Sequence, residues 1–155
     1  MPANIITVCD ALVTAVEAGL ESPLDATVAR LYLAPLDLSK DVGRYVWLFP
    51  AQYSFLPASR GENNWTYSVG VIVADRYTGA GEPTATWIDE RVEFCESKIF
   101  GKLDYTHQWL SFGVDGARRL FTTAGDVTVY DDLRLTEKKL FWSEMRFEFT
   151  EILDK

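Results

Sequence analysis

Residues 64–76, NWTYSVGVIVADR, decide how the rest of the chain is interpreted. Large side chains occupy every second position, and small or mildly apolar side chains lie between them. This period of two places the large side chains on one face of a β-strand. They are Trp65, Tyr67, Val69, Val71 and Val73. A strand with one large and one small face belongs inside a sheet that has a helix packed across it. It is also longer than the usual strand of about five or six residues, so we expect its ends to project beyond the core.

The flanking patterns predict an α+β fold. Apolar residues at helical spacing predict one helix after Asn4, ended by Gly19 and Pro23, and a second helix over residues 87–103. Alternating or continuous apolar runs predict strands at residues 27–33, 45–49, 64–76, 127–130 and 139–152. Together they predict a mostly antiparallel sheet of about five strands with two helices packed on one face.

Two segments are harder to assign. Residues 104–126 mix aromatic residues, glycines and a pair of arginines, and they are compatible with a short helix or strand followed by an irregular excursion. Residues 131–137 are predicted to form a charged turn. In the final strand, the odd positions are expected to face the core. The even positions, beginning with Trp142, are expected to lie on the wet face. As aromatic residues, however, most of Trp47, Trp65 and Trp142 are expected to be buried in the core.

Residues 51–63, AQYSFLPASRGEN, are predicted to form a long projecting hairpin loop before the central strand. A plain hairpin needs only about 2–5 connecting residues. This link carries the apolar Tyr53, Phe55 and Leu56, which a solvent-facing loop normally avoids, and the positive Arg60. Long loops in compact domains are usually functional, so this loop is the leading interaction candidate. The alternative is a loop folded back onto its own sheet, with its aromatic residues in the core.

Size and charge narrow the class of protein. A chain of 155 residues is long enough for one domain with a real core, and we treat residues 1–155 as a single domain. The net charge of −8 and the pI near 4.6 disfavour binding to a phosphate backbone. Cys9 and Cys95 lie at apolar positions of the predicted helices, which indicates buried thiols. With no signal-peptide pattern and no run of about 18 apolar residues, we expect a soluble protein of a reducing cytoplasm.

A search for catalytic patterns gives only weak signals. His107 is the single histidine, and it has no cysteine or second histidine near it in the sequence. Asp131 and Asp132 fit a turn as well as a metal site, and the carboxylates along the second helix fit a solvated helix face. The glycines of residues 78–84 lack the Lys-Ser/Thr ending of a phosphate loop. We therefore predict no catalytic residue, no metal, no cofactor and no enzymatic activity.

What remains is a set of surface features suited to association. Arginine and aromatic side chains are enriched in interface hot spots. When one patch contacts a different patch on the next copy, the contact is heterologous, and it closes into a ring if the rotation allows. The predicted interface residues are Tyr53, Phe55, Leu56, Arg60, Trp65, Arg118 and Arg119.

Part of this sequence resembles a known family. The run RLYLAPLDLSKDVGRYVWLFPA (30–51), then Ser-Arg at 59–60 and the strand WTYSVGVIVADRY (65–77), resembles the minor tail and neck proteins of tailed bacteriophages. The similarity points most directly to the tail-terminator family of long-tailed phages. It covers roughly residues 5–100, and residues 104–126 depart from it. The matching positions are Arg30, Tyr32, Pro35, Leu36, Asp37, Leu38, Val46, Pro50, Ser59, Arg60, Tyr67, Val69 and Val71.

The resemblance implies a structural protein of the virion neck, assembled in the cytoplasm of the host bacterium. Members of the family form a hexameric ring that caps the finished tail tube and faces the head connector. The implied partners are further copies of the chain, the tail tube protein and the head connector or stopper protein. DNA would pass through the ring without specific binding, and no membrane is involved. The alternatives are a head-completion or stopper protein on the connector side, and a small cytoplasmic enzyme or ligand-binding α+β domain with a pocket near His107 and Trp109.

Overall fold

The computed structural model describes the backbone of residues 5–20, 26–33, 43–59, 62–103, 110–112 and 118–153. It describes the side chains of residues 5–20, 26–33, 43–52, 65–101, 103 and 125–150. The helices are α1 (Ile5–Gly19), α2 (Ala85–Phe94), α3 (Gly101–Leu103) and α4 (Asp132–Lys138), and a π-helical segment, Cys95–Phe100, joins α2 to α3. The strands are β1 (Thr27–Arg30), β2 (Arg44–Ser59), β3 (Glu62–Arg76), β4 (Leu110–Phe112), β5 (Arg118–Thr128) and β6 (Leu140–Leu153).

The strands form one mixed sheet in the order β1-β2-β3-β6-β5-β4. β1 pairs with β2 in parallel, and all the other pairings are antiparallel. The α+β fold and the mostly antiparallel sheet are therefore confirmed. The sheet has six strands. The additional strand β4 and the first part of β5 come from residues 104–126, which show no clear periodicity.

The main core lies between the sheet and the two long helical stretches. The large face of β3 is buried as predicted, since Tyr67, Val69, Val71 and Val73 are at most 1% exposed. Trp65 is half-buried against the same core. Residues from α1 and from the α2–π–α3 stretch cover this face of the sheet, so both predicted helices pack on one side. They include Val8, Cys9, Leu12, Val16, Phe94, Cys95, Ile99 and Leu103.

A smaller apolar cluster occupies the opposite face of the sheet. It contains Trp142, which is 4% exposed and packs with Trp47, Ala74 and Leu140. The expectation of a buried tryptophan is confirmed, and the wet face predicted for this position of β6 is corrected. The Trp47 and Trp142 rings meet edge-on at 6.0 Å. The remaining even positions of β6 from Glu144 to Glu148 are exposed, as predicted.

The predicted turn at 131–137 is wrong, because this segment forms the short helix α4. The Asp131 carboxylate accepts a hydrogen bond from the Arg134 backbone N–H at 3.1 Å and so caps the first turn. Lys139 ends the helix in the left-handed conformation. The helix places the Arg134 guanidinium 3.9 Å from the centroid of the Trp142 ring, which helps to bury that ring.

The predicted hairpin loop is not confirmed, because its backbone continues the two strands. Residues 51–59 extend β2 and residues 62–63 begin β3, and the pairing reaches Ser59 opposite Glu62. Polar and apolar residues alternate from Gln52 to Phe55, which is a pattern typical of a strand. The sequence analysis nevertheless ended the strand at residue 49, because Pro50 follows it. Proline is tolerated on an edge strand where its missing N–H points outward. Arg60 lies outside the described residues.

None of the helices in the described part of the chain combines the length and the apolar character needed to cross a lipid bilayer.

Candidate interaction site

The strand register brings the predicted interface residues to one end of the sheet. Tyr53 and Phe55 of β2 pair with Tyr67 and Trp65 of β3, and Leu56 follows toward the end of the hairpin. Tyr67 in turn pairs with Phe149 of β6. The end of β6 pairs with the start of β5, where Ile152 and Leu153 lie opposite Arg119 and Arg118. The two arginines therefore lie at the same end of the sheet as the hairpin.

The side chains at this end divide into two groups. Trp65 is half-buried against the helix-side core, so part of its surface serves packing. The other predicted residues are placed by their backbone register alone, and Arg60 is outside the described residues. The topology thus supports one contiguous region for the predicted contacts, at the hairpin end of the sheet.

The opposite end of the sheet contains a buried ionic cluster that the sequence analysis missed. Asp75, at the end of β3, accepts hydrogen bonds at Oδ2 from Arg44 Nε at 3.3 Å and from Arg91 Nε at 3.0 Å. The Asp75 side chain is only 8% exposed. Asp75 continues the series of odd-numbered β3 residues that face the core. A charged residue at such a position is the feature of the sequence that could have predicted a buried ion pair.

Aromatic rings and further hydrogen bonds hold both arginines in place. The Arg44 guanidinium lies 4.2 Å from the Phe94 ring centroid, and Arg91 lies 4.2 Å from that of Trp87. Arg91 Nη1 also donates to the Trp87 carbonyl at 3.2 Å and to Glu90 Oε2 at 3.0 Å. This cluster ties β2, β3 and α2 together, so it is best understood as a structural clamp.

The two cysteines are free and buried, as predicted. Burial raises the pKa of the Cys9 thiol to about 12, although the charge of Arg30 acts in the opposite direction. Burial likewise raises the pKa of the Cys95 thiol to about 11, opposed by a hydrogen bond with Ser143 and by the charge of Arg44. Both thiols are therefore protonated at neutral pH and are poor nucleophiles and poor metal ligands.

These pKa values predict a loss of stability at alkaline pH. A thiol with the ordinary pKa of 9.0 ionises in the unfolded chain, while the folded chain keeps its proton until pH 11–12. The unfolded state then binds fewer protons, so the free energy of unfolding falls as the pH rises above 9. Urea titrations between pH 8 and 11 should show a weaker fall for the Cys9→Ala/Cys95→Ala variant. Parallel falls for the two proteins would contradict the assigned pKa values.

The remaining candidates for chemistry find little support in the described residues. Within residues whose side chains are described, no group of three or more His, Cys, Asp or Glu side chains could hold a metal ion. Asp131 serves as the cap of α4, and Asp132 is exposed in its first turn. His107 and Trp109 lie outside the described residues.

The geometry therefore offers one candidate contact region, at the hairpin end of the sheet, and one structural clamp, at the other end. Comparison of the chain with models of known protein families and with curated proteins gives no match. The resemblance to phage tail terminators accordingly rests on the matching residues of the sequence alone.

Proposed function

We propose that this chain is a structural protein of the phage head–tail neck, a ring-forming tail terminator that caps the tail tube and joins it to the head connector. The observation that carries the proposal is the length of the β2–β3 hairpin. Its pairing continues to Ser59 and Glu62, whereas the pairing of β3 with β6 begins only at Thr66. The β2–β3 pairing thus continues beyond the last β3–β6 pair, at the end of the sheet where β6 runs on beside β5 to Leu153 and where the predicted contact residues lie.

A paired hairpin is well suited to making contacts with a neighbouring subunit. Its two strands satisfy each other's backbone hydrogen bonds, so it can reach outward without unpaired groups along its inner side. The hairpin and the surface that it contacts on the next copy are different parts of the chain, which makes the contact heterologous.

The charge distribution supports a ring through which DNA passes. Each copy carries a net charge of −8. On the sheet face opposite the two long helical stretches, Asp126, Glu144 and Glu148 are exposed, with Arg146 between them. Carboxylates facing a channel repel phosphate groups and keep the DNA from binding tightly.

The direct test is the assembly state of the purified chain. Light scattering and negative-stain electron microscopy should show rings, or a monomer that becomes a ring on tail tubes. A head-completion or stopper protein would give the same rings but a different partner. The proposal therefore requires that tail tube protein captures this chain in a pull-down. If only connector protein captures it, the chain is a stopper protein. A chain that stays monomeric with both partners would contradict the proposal.

Arg60→Glu is expected to weaken ring assembly while leaving the fold intact. A charge reversal at the hairpin end replaces an attractive contact on an acidic neighbour with a repulsive one. We expect the concentration needed for half-assembly to rise by about tenfold or more, which corresponds to about 1.4 kcal/mol. Sedimentation velocity over a concentration series measures this change.

Lys138→Glu is the matched control for Arg60→Glu. It makes the same change of charge at an exposed position of α4, which precedes β6 and lies away from the hairpin end. It should leave assembly unchanged. Equal effects of the two variants would show that net charge, and not a contact of Arg60, controls assembly.

A further inference from the structure

We propose that neighbouring copies join edge to edge: the outer edge of β2 in one copy pairs with the outer edge of β5 in the next, as one continuous antiparallel sheet. This inference deepens the proposed function, on which it rests, because it states which backbone groups build the ring. It follows from the pairing pattern of the strands.

Among the described strands, β1 alone lies on the outer edge of β2, and it covers only part of that edge. β1 has four residues and pairs only with Tyr45–Leu48, while β2 continues to Ser59. Among the strands that the structure describes, none pairs with β2 beyond Leu48 on the side away from β3. A long strand edge in this state is a template for another strand.

Hydrogen bonds fix which β2 residues face outward. The Leu31 N–H donates to the Leu48 carbonyl at 2.9 Å, so the backbone groups of Leu48 face away from β3. In an antiparallel pair the direction alternates from residue to residue, so Pro50 also faces outward. Its missing N–H is then not needed for the pairing with β3, which is the position where a strand tolerates proline.

The register of β2 shifts at Ala51, so the direction of its backbone groups beyond this point is read from β3, whose residues continue without a shift. Gln52 pairs with Ser68, whose backbone N–H and C=O point toward β2, so the backbone groups of Gln52 point toward β3. The backbone groups of Tyr53, Phe55 and Pro57 therefore point outward, away from β3. Pro57 therefore has the same orientation as Pro50, which is an independent check on the assignment. Between the two prolines, the outward N–H donors of regular strand residues are those of Tyr53 and Phe55.

The same alternation extends across the sheet to β5. Val71 lies opposite Leu48, so its backbone groups face β6, where it pairs with Met145. The next β6 residue toward its start, Glu144, therefore faces β5 and pairs with Thr128. The Ser143 hydroxyl also donates to the Thr128 carbonyl at 3.0 Å, which agrees with a Thr128 carbonyl directed toward β6.

The outer edge of β5 is consequently also available. Because Thr128 faces β6, the N–H groups of Val127 and Gly125 face the other side. Among the described strands, β4 covers that side only from Arg118 to Leu120. Among the described strands, β2 beyond Leu48 and β5 beyond Leu120 thus each keep one edge without a partner strand, with outward-facing donors and acceptors.

The directions of the two edges suit a contact between identical copies. β2, β3, β6 and β5 are antiparallel in turn, so β5 runs opposite to β2. If the next copy is related by rotation about an axis inclined to the strands, its β5 meets β2 in antiparallel orientation. The inclination supplies the shift along the strand that pairing Tyr53 and Phe55 with Val127 and Gly125 needs, since within one copy Tyr53 is level with Thr122. Each copy then offers one edge and receives the other, which is the condition for a closed heterologous ring. The prolines limit the pairing to a short segment and disfavour extended pairing with unrelated strands.

Residue-resolved amide hydrogen exchange on the full chain tests the edge assignment. In the monomer, the amides of Tyr53 and Phe55 should exchange quickly, while those of Gln52 and Ser54, which face β3, are protected. In the assembled ring, the amides of Tyr53, Phe55, Gly125 and Val127 should become protected as well. Rings in which these amides exchange at the monomer rate would overturn the inference and leave the ring proposal standing.

Proline variants test whether ring assembly needs the outward N–H groups of Tyr53 and Phe55. Tyr53→Pro and Phe55→Pro each remove one outward N–H and no hydrogen bond to β3, so the monomer should keep its circular dichroism spectrum. We expect each to abolish ring formation at concentrations where the wild type assembles. Tyr53→Ala and Phe55→Ala keep the N–H and are the matched controls, which should assemble substantially better than the proline variants.

The remaining outcomes are also decisive. Assembly of both proline variants at the wild-type concentration would overturn edge pairing. Protection of the Tyr53 and Phe55 amides only after tail tube protein is added to a monomer would assign the edge to that protein and overturn pairing between copies. Edge-paired rings that never bind tail tubes would support this inference and refute the proposed neck function alone. A chain that never self-associates would refute both.

Discussion

Replacement of Asp75 by alanine is expected to lower the free energy of unfolding by about 3–5 kcal/mol, because it leaves two arginines without their shared carboxylate. Asp75 Oδ2 accepts from Arg44 at 3.3 Å and from Arg91 at 3.0 Å. Both arginine side chains are largely buried, at 19% and 14% exposed. Water therefore compensates only part of the lost interaction. Urea denaturation followed by tryptophan fluorescence measures the change.

Asp10→Ala is the matched control for Asp75→Ala. Asp10 also binds an arginine, with Arg30 Nε at 2.6 Å, but its side chain is 55% exposed. Exposed ion pairs contribute about 0–1 kcal/mol, so this variant should differ little from the wild type. If the two variants lose the same stability, the buried cluster is not the clamp that we describe.

Phe147→Ala is expected to lower the free energy of unfolding by about 3–5 kcal/mol, through lost burial and the cavity that remains. Phe147 is 1% exposed and lies on the core face of β6. Its ring centroid is 6.2 Å from that of Phe149 and 5.9 Å from that of Phe100. The backbone of Gly125 closes the site from β5, since a Cβ there would lie 3.3 Å from the Phe147 ring. The same denaturation assay gives the value.

The neighbouring Arg146→Ala provides the comparison within one strand. Arg146 lies on the opposite, exposed face of β6, so its truncation should change stability by no more than about 0.5 kcal/mol. A large loss for Arg146→Ala, or a loss below about 1 kcal/mol for Phe147→Ala, would show that the faces of β6 are assigned wrongly.

The parts of the fold that follow from periodicity could be predicted from the sequence. The alternation in β3 and in β6 fixed which residues are buried, because one face of each strand packs on the helices. The failures have local causes. Pro50 appeared to end a strand, yet a strand accepts a residue without an N–H where that group would point away from its partner strand. The alternation in β6 placed Trp142 on the wet face, and it is buried there by Trp47 on a distant strand and by Arg134 on an unpredicted helix.

The candidate site shows the same division between local and distant signals. Tyr53, Phe55 and Leu56 were recognised as unusual from their own sequence neighbourhood. Arg118 and Arg119 lie at the same end of the sheet as these three residues because β6 pairs with both β3 and β5. No local sequence pattern reveals those pairings. Asp75 was missed because its partners are 31 positions before it and 16 positions after it. The charge on the apolar face of β3 is visible in the sequence, but its partners are not.

The most direct test of the proposed function is to add the purified chain to isolated tail tubes and image the tubes by cryo-electron microscopy. The account predicts one ring of this protein at a single end of each tube, with adjacent subunits joined through the hairpin end of the sheet. Tubes whose ends stay bare at saturating protein concentration, with the chain remaining monomeric in solution, would contradict it.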